Sequence, residues 1–161
     1  MGSIIAAMAG KYLKPIITEL GGKASAIILA DADIKRAAVA CAMGSFQHAG
    51  QVCMSTERII VHKAIVDDFI MALKQSTEQM YGQQGRSPVL VTATGANKTK
   101  RLVKAAINGG AEVILGDPTE SLYPDETSTV MKPIILTNVR KGNALYEDES
   151  FGPSVDRKSV V

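Results

Sequence analysis

Between Lys23 and Asp31 runs Ala24-Ser25-Ala26-Ile27-Ile28-Leu29-Ala30, a nearly continuous apolar segment of strand length. A strand with one wet face alternates apolar and polar residues; a run without alternation suits a strand buried on both faces. Asp31 and Asp33 follow at once and offer N-caps to an alanine-rich helix from Ile34 to Gln47. The same strand-then-helix order recurs. Arg58 to His62 reads as a strand and Lys63 to Met80 as an amphipathic helix, with Ile65, Phe69 and Leu73 on one row and Val66 and Ile70 on the next. Asn97 to Asn108 reads as a helix closed by Gly109-Gly110, and Val113-Ile114-Leu115 as a strand. This alternation predicts an α/β fold: a mostly parallel sheet with flanking helices and right-handed crossovers.

Other segments are less regular. Residues 3–13 have helical composition and stop before Pro15. Ile16-Ile17-Thr18 is a short β-branched strand candidate. Residues 82–87 and 117–127 read as loops, and Pro88 to Thr92 is apolar without clear bounds. Val130 to Leu136 reads as a strand that Pro133 confines to an edge or a bulge. Asn138 to Ser150 is mixed in pattern. Phe151-Gly152-Pro153 makes a tight turn, and Asp156-Arg157-Lys158-Ser159 reads as a polar tail.

A length of 161 residues fits one domain with a real core, and 46% apolar with 21% charged residues is globular composition. Tryptophan is absent and aromatics make up 4%, which leaves little for stacking on nucleic-acid bases. Net charge is +2 with both signs mixed; the densest basic stretch, Lys98, Lys100, Arg101 and Lys104, reads as a solvated helix face. Neither a nucleic acid nor a membrane is expected as a partner. No run reaches the ~18 apolar residues of a spanning helix, the apolar start lacks a basic leader region, and Ala6 stands where a myristoylation signal wants a hydroxyl. Two cysteines are too few for a disulfide framework and suggest a reducing, cytoplasmic setting. No metal ligands are assigned.

Two residues suggest chemistry. Cys53 follows Phe46-Gln47-His48-Ala49-Gly50-Gln51-Val52, and Glu19 opens Glu19-Leu20-Gly21-Gly22-Lys23. A thiol in a glycine-opened turn becomes a nucleophile where the thiolate is favoured, and a carboxylate can serve as general base. Spacing alone favours the blander reading of an inert turn cysteine and a surface carboxylate. Cys41, in the alanine-rich helix, reads as a small buried hydrophobe.

Four motifs in register change that balance. Glu19 to Lys23, Ala30-Asp31-Ala32-Asp33, Phe46 to Cys53, and Glu149-Ser150-Phe151-Gly152-Pro153 resemble the NAD(P)-dependent aldehyde dehydrogenase superfamily in order and spacing. Leu13-Lys14-Pro15 and Met131 to Leu136 resemble it too, so the likeness covers about residues 2–155. Cys53-Met54-Ser55-Thr56-Glu57-Arg58-Ile59 is most similar to the salicylaldehyde and vanillin dehydrogenase branch, which implies an aromatic aldehyde as substrate. The resemblance implies that Cys53 attacks the aldehyde carbon, that hydride passes to NAD or NADP, and that Glu19 activates the water that hydrolyses the thioester. It implies Glu149 at the nicotinamide ribose, Phe151 beside the nicotinamide and Gly21 next to that site. It implies an oxyanion held by the Cys53 backbone N–H and an Asn side chain. Lys23 reads as a salt-bridged structural lysine rather than a catalytic one.

Departures and omissions bear on this. Thr18, Ser25 and Ser55 stand where the family prefers other residues. Gly85-Arg86-Ser87-Pro88-Val89 replaces a Gly-Pro-rich approach, and Asp156-Arg157-Lys158 replaces an apolar strand. Family members are about three times as long. Residues 1–14 are therefore expected as a remnant helix of the cofactor domain, and 15–161 as a partial catalytic domain. The adenine site, the Gly-Ser phosphate loop and the oxyanion Asn would lie outside. His48 reads as a polar loop residue, not a replacement oxyanion donor. On that reading the chain alone lacks a full NAD(P) site and is a poor or inactive dehydrogenase. Two alternatives stay open: cofactor-free Cys53/Glu19 chemistry on a carbonyl compound, or a non-catalytic binding or structural protein. Apolar faces left bare would favour a homo-oligomer or docking on a partner.

Overall fold

The computed structural model describes residues 1–82, 87–117 and 127–160. Within them a five-stranded sheet carries helices on both faces. Its elements are α1 (Gly2–Lys11), β1 (Ala24–Ile28), α2 (Ile34–Phe46), β2 (Thr56–His62), α3 (Val66–Tyr81), α4 (Ala93–Asn108), β3 (Glu112–Leu115), β4 (Ile134–Thr137), a one-turn α5 (Ala144–Glu147) and β5 (Ser154–Val160). The strand order is β1-β2-β5-β4-β3. The β1-β2, β2-β5 and β5-β4 pairs are parallel and only β3 runs antiparallel, to β4. The α/β expectation holds.

One core layer places Phe46 and Cys41 of α2 and Phe69 and Leu73 of α3 against Ile59 and Val61 of β2, Ile135 and Val155. The other places Val103 and Ala106 of α4 and Leu145 of α5 against Ile134 and Leu136. Successive β4 residues thus feed opposite layers, which is why all four are buried. The expected caps form: the Asp33 side chain accepts from the Arg36 N–H at 3.1 Å at the start of α2. Thr92 caps α4 in the same way through Gly95, so that helix starts earlier than its apolar pattern suggests.

Four expectations fail, each for a physical reason. The apolar run of β1 is an edge strand with Ile27 and Leu29 exposed, so its outer face is bare rather than doubly covered. Ile16-Ile17-Thr18 forms no strand and lies exposed, because no neighbouring strand is there to pair it. The strand after Pro133 is interior; the pyrrolidine ring sits just before β4, outside the ladder of that strand. Finally, the supposed polar tail is the central strand β5. Asp156 is 1% exposed, and Lys158 pairs with it at 2.9 Å while lying over the Tyr146 ring. The Lys158–Asp156 ion pair and the bond from Arg157 to Thr137 Oγ1 offset part of the cost of burying charge there. The expected loops at 82–87 and 117–127 fall mostly outside the described residues.

Candidate active site

The turn that carries Cys53 hangs from a buried anchor. Phe46 ends α2 at 1% exposure and meets the Tyr81 ring edge-on, with centroids 5.9 Å apart. His48, Ala49 and Gly50 then take consecutive positive φ values of 51°, 60° and 69°. This reverses the chain toward β2, and the Ser55 N–H closes the following turn on the Val52 carbonyl at 2.8 Å. Cys53 is exposed on this turn with a free thiol. Cys41 is free but buried, and burial pushes its thiol up to about 11.

Glycines bring the separate motifs together. A Cβ on Gly50 would lie 2.8 Å from the Gly152 carbonyl carbon, so the Cys53 turn and the Phe151-Gly152-Pro153 turn touch backbone to backbone. A Cβ on Gly22 would lie 3.4 Å from the Cys53 carbonyl oxygen. At Gly21, with φ at 130°, it would lie 2.8 Å from Glu149 Oε2. The Gly21-Gly22 turn is thereby the meeting point of the Cys53 turn and the Glu149 carboxylate. Glu19 stands two residues earlier on an exposed stretch. No hydrogen bond or ion pair among the described residues joins it to Cys53. Phe151 is 37% exposed and holds a left-handed φ of 52°.

Beneath this surface lies a polar cluster that the sequence did not announce. Glu57, 4% exposed, pairs with Lys23 at 2.5 Å. It accepts from the backbone N–H groups of Ser150 and Phe151, each at 2.9 Å, and from the Ser150 hydroxyl at 3.1 Å. Lys23 also donates to the Asp148 carbonyl at 2.8 Å. Lys23 is thus salt-bridged, as its sequence context suggested. The basic stretch of α4 is not simply a solvated face: Lys98 donates to the Glu149 carbonyl at 2.9 Å and Lys100 is buried. Glu57 had one legible signal. It shares the inward register of β2 with Ile59 and Val61, where an acid must find partners.

A cleft of about 350 Å³ opens beside Cys53. Met43, Gln47, His48, Val52 and Met54 line it. Two thioethers and a valine give it an apolar, adaptable wall. Among the described residues no group of three or more His, Cys, Asp or Glu side chains gathers as a metal site, and no helix is long and apolar enough to cross a membrane.

An exposed cysteine thus sits on a glycine-built turn whose backbone meets a Gly-Gly turn, and that Gly-Gly turn meets a carboxylate. The chain belongs to the aldehyde dehydrogenase family, whose pattern matches residues 1–156. Among its relatives is a vanillin dehydrogenase of Pseudomonas fluorescens, 34% identical across 95% of this chain and 31% of that protein. A salicylaldehyde dehydrogenase of Pseudomonas putida G7, solved with salicylaldehyde, superposes on 99% of this chain and 33% of its own with a TM-score of 0.85 at 35% identity. A betaine aldehyde dehydrogenase of Staphylococcus aureus, solved with NAD+, matches 99% of this chain and 32% of its own at 27% identity and a TM-score of 0.83. The chain spans about a third of the length of the relatives it matches.

Proposed function

We propose that this chain carries the cysteine end of an NAD(P)-dependent oxidation of an aromatic aldehyde to its carboxylic acid. One observation carries the reading: the Gly21-Gly22 turn lies against both the Cys53 backbone and the Glu149 carboxylate. Cys53 is the nucleophile: its thiolate sulfur bonds to the aldehyde carbon and the negative charge passes to the carbonyl oxygen. NAD or NADP, held by Glu149, Gly21 and Phe151, would supply the acceptor for the hydride of that carbon, and Cys53 would then carry the acyl group as a thioester. Glu19 takes a proton from water, whose oxygen adds to the thioester carbonyl. The carbon–sulfur bond then breaks, returning the thiol and releasing the acid. Glu149 and Gly21 suit the nicotinamide ribose: a carboxylate for hydroxyls, seated against a glycine with no side chain to displace it. Phe151 borders the nicotinamide side, and the methionine-lined cleft takes the aryl body of the substrate.

We also propose that α1 ends a cofactor-binding part, with residues 15–161 belonging to the catalytic domain. No α1 residue is buried among the described residues, and its contact with the rest includes Gly2 against the Leu20 side chain. Ile4, Ile5 and Met8 on α1 and Ile27 and Leu29 near the sheet edge are exposed, which supports covering by further protein, a second copy included. Two unpaired cysteines suit a cytoplasmic setting.

The test needs no cofactor. An activated ester, p-nitrophenyl acetate, should acylate Cys53, and C53A should abolish the acyl adduct seen by intact mass. E19Q should form the adduct but hydrolyse it about 10²–10⁴-fold more slowly. An unreactive Cys53, or an E19Q adduct that clears at the wild-type rate, sinks the assignment. Calorimetry with NAD+ and NADP+ should show weak binding by the 161-residue chain.

A further inference from the structure

Glu57 bonds to two of the segments that the proposed chemistry uses, the Gly21-Gly22-Lys23 turn and the Glu149-Ser150-Phe151 loop. Its Oε2 accepts from Lys23, the residue after the Gly21-Gly22 turn, and from the Ser150 N–H. Its Oε1 accepts from the Ser150 N–H, the Ser150 hydroxyl and the Phe151 N–H. Every partner is a donor, so only an ionised carboxylate matches the set; a glutamine in either orientation would turn its N–H₂ toward a donor. The opposite edge of the same loop is held as well. The carbonyls of Asp148, Glu149 and Ser150 accept from Lys23, Lys98 and Thr99 at 2.8, 2.9 and 3.2 Å.

That grip explains a strained residue. Phe151 is bulky and not glycine, yet its φ is 52°, a region such side chains leave unless their surroundings over-determine them. Its N–H ends on Glu57, and the following Gly152 is wedged between Gly50 and Thr99. We infer that Glu57, paired with Lys23, is a positioning residue that fixes the backbone of Glu149-Ser150-Phe151 and so sets where the Glu149 carboxylate stands against Gly21 and which way Phe151 presents its ring. Its consequence for cofactor binding rests on the reading of Glu149 and Phe151 given above; the hydrogen-bond geometry does not. Without the carboxylate, Phe151 is free to return to negative φ, which turns its ring and draws the Glu149 side chain away from Gly21.

Amide exchange by NMR on the full chain separates this from a general loss of stability. In wild type the Ser150 and Phe151 amides should exchange slowly. In E57Q both should exchange about 10- to 100-fold faster, while Ile135 and Leu136 lose protection by a clearly smaller factor. E57D, which retains the carboxylate, should restore part of the protection at Ser150 and Phe151. Unchanged Ser150 and Phe151 amides in E57Q, or a loss that the core shares in equal ratio, overturns the assignment. Nicotinamide mononucleotide tests the consequence: E57Q should bind it about tenfold or more weakly, with Cys53 alkylation unchanged. Equal binding by E57Q overturns the positioning role. A wild-type chain that does not bind the mononucleotide overturns the nicotinamide reading of Glu149 and Phe151, and the amide data still decide Glu57.

Discussion

Replacing Gly50 by alanine tests the backbone contact that joins the Cys53 turn to the Phe151-Gly152-Pro153 turn. Gly50 has φ of 69°, where an L residue costs about 1–2 kcal/mol. The new Cβ would also stand 2.8 Å from the Gly152 carbonyl carbon and 3.0 Å from the Ser45 carbonyl oxygen. Both are backbone atoms, so no side chain can swing aside, and overpacking of this kind costs about 1–3 kcal/mol. Together G50A should lose about 2–5 kcal/mol, or roughly 4–20 °C in Tm for a chain of this length. Urea unfolding followed by far-UV circular dichroism measures it. Two glycines serve as controls. Gly110 has φ of 93° with nothing within 4 Å of its Cβ position, so G110A carries only the conformational part. Gly10 lies in α1 with open space and no positive φ, so G10A should be neutral or stabilising by up to about 1 kcal/mol. If G50A costs no more than G110A, the two turns do not touch as described, and the site loses the contact that assembles it.

Three further outcomes follow from the same geometry. Iodoacetamide on the native chain should label Cys53 alone, and Cys41 only after denaturation, since burial holds the Cys41 thiol near 11; two fast native labels by mass spectrometry would refute this. E57A should destabilise by about 3–5 kcal/mol in chemical unfolding, because it leaves Lys23 unpaired and two loop N–H groups without their acceptor, whereas K23M should cost less, since the Glu57 carboxylate keeps its loop donors. Burial raises the Asp156 carboxyl above its ordinary value, against the pull of Lys158, Arg58 and Lys23. Its contribution is therefore fully present below about pH 3.8 and is lost as the pH climbs through the raised folded value. Stability of D156N relative to wild type should rise across that interval; a difference independent of pH would refute it.

How much of this was legible depended on whether a residue's neighbours lay near it in sequence. The α2 cap at Asp33, the amphipathic rows of α3 and the turn after Gly50 are local, and the sequence reading located all three. Cys53 and Glu149 were singled out by motif register, which encodes a shared three-dimensional arrangement without displaying it. Glu57 was missed because its partners lie 34 and 93–94 positions away, and nothing local distinguishes it from a surface acid on a strand. Its inward register beside Ile59 and Val61 was the available clue.

The misreading of β5 shows the same limit more sharply. Asp156-Arg157-Lys158 has the composition of a solvated tail, yet it forms the strand between β2 and β4, the middle of the sheet. Lys158 pairs with Asp156 within the strand and also donates to the Val139 carbonyl, and Arg157 donates to Thr137 Oγ1 on β4 at 2.7 Å. Arg58, opposite Asp156 in register, donates to the Tyr146 carbonyl at 2.7 Å and stacks on its ring at 4.3 Å. Tyr146 thus faces two cations from adjacent strands, and α5 is tied to the sheet by charge as well as by Leu145. The strand leads out of the Glu149-Ser150-Phe151 loop, so the polar ladder of β5 and the Glu57 cluster hold its two sides. A site placed in this way depends on buried polar pairing more than on apolar packing, and its geometry should fail before its fold does.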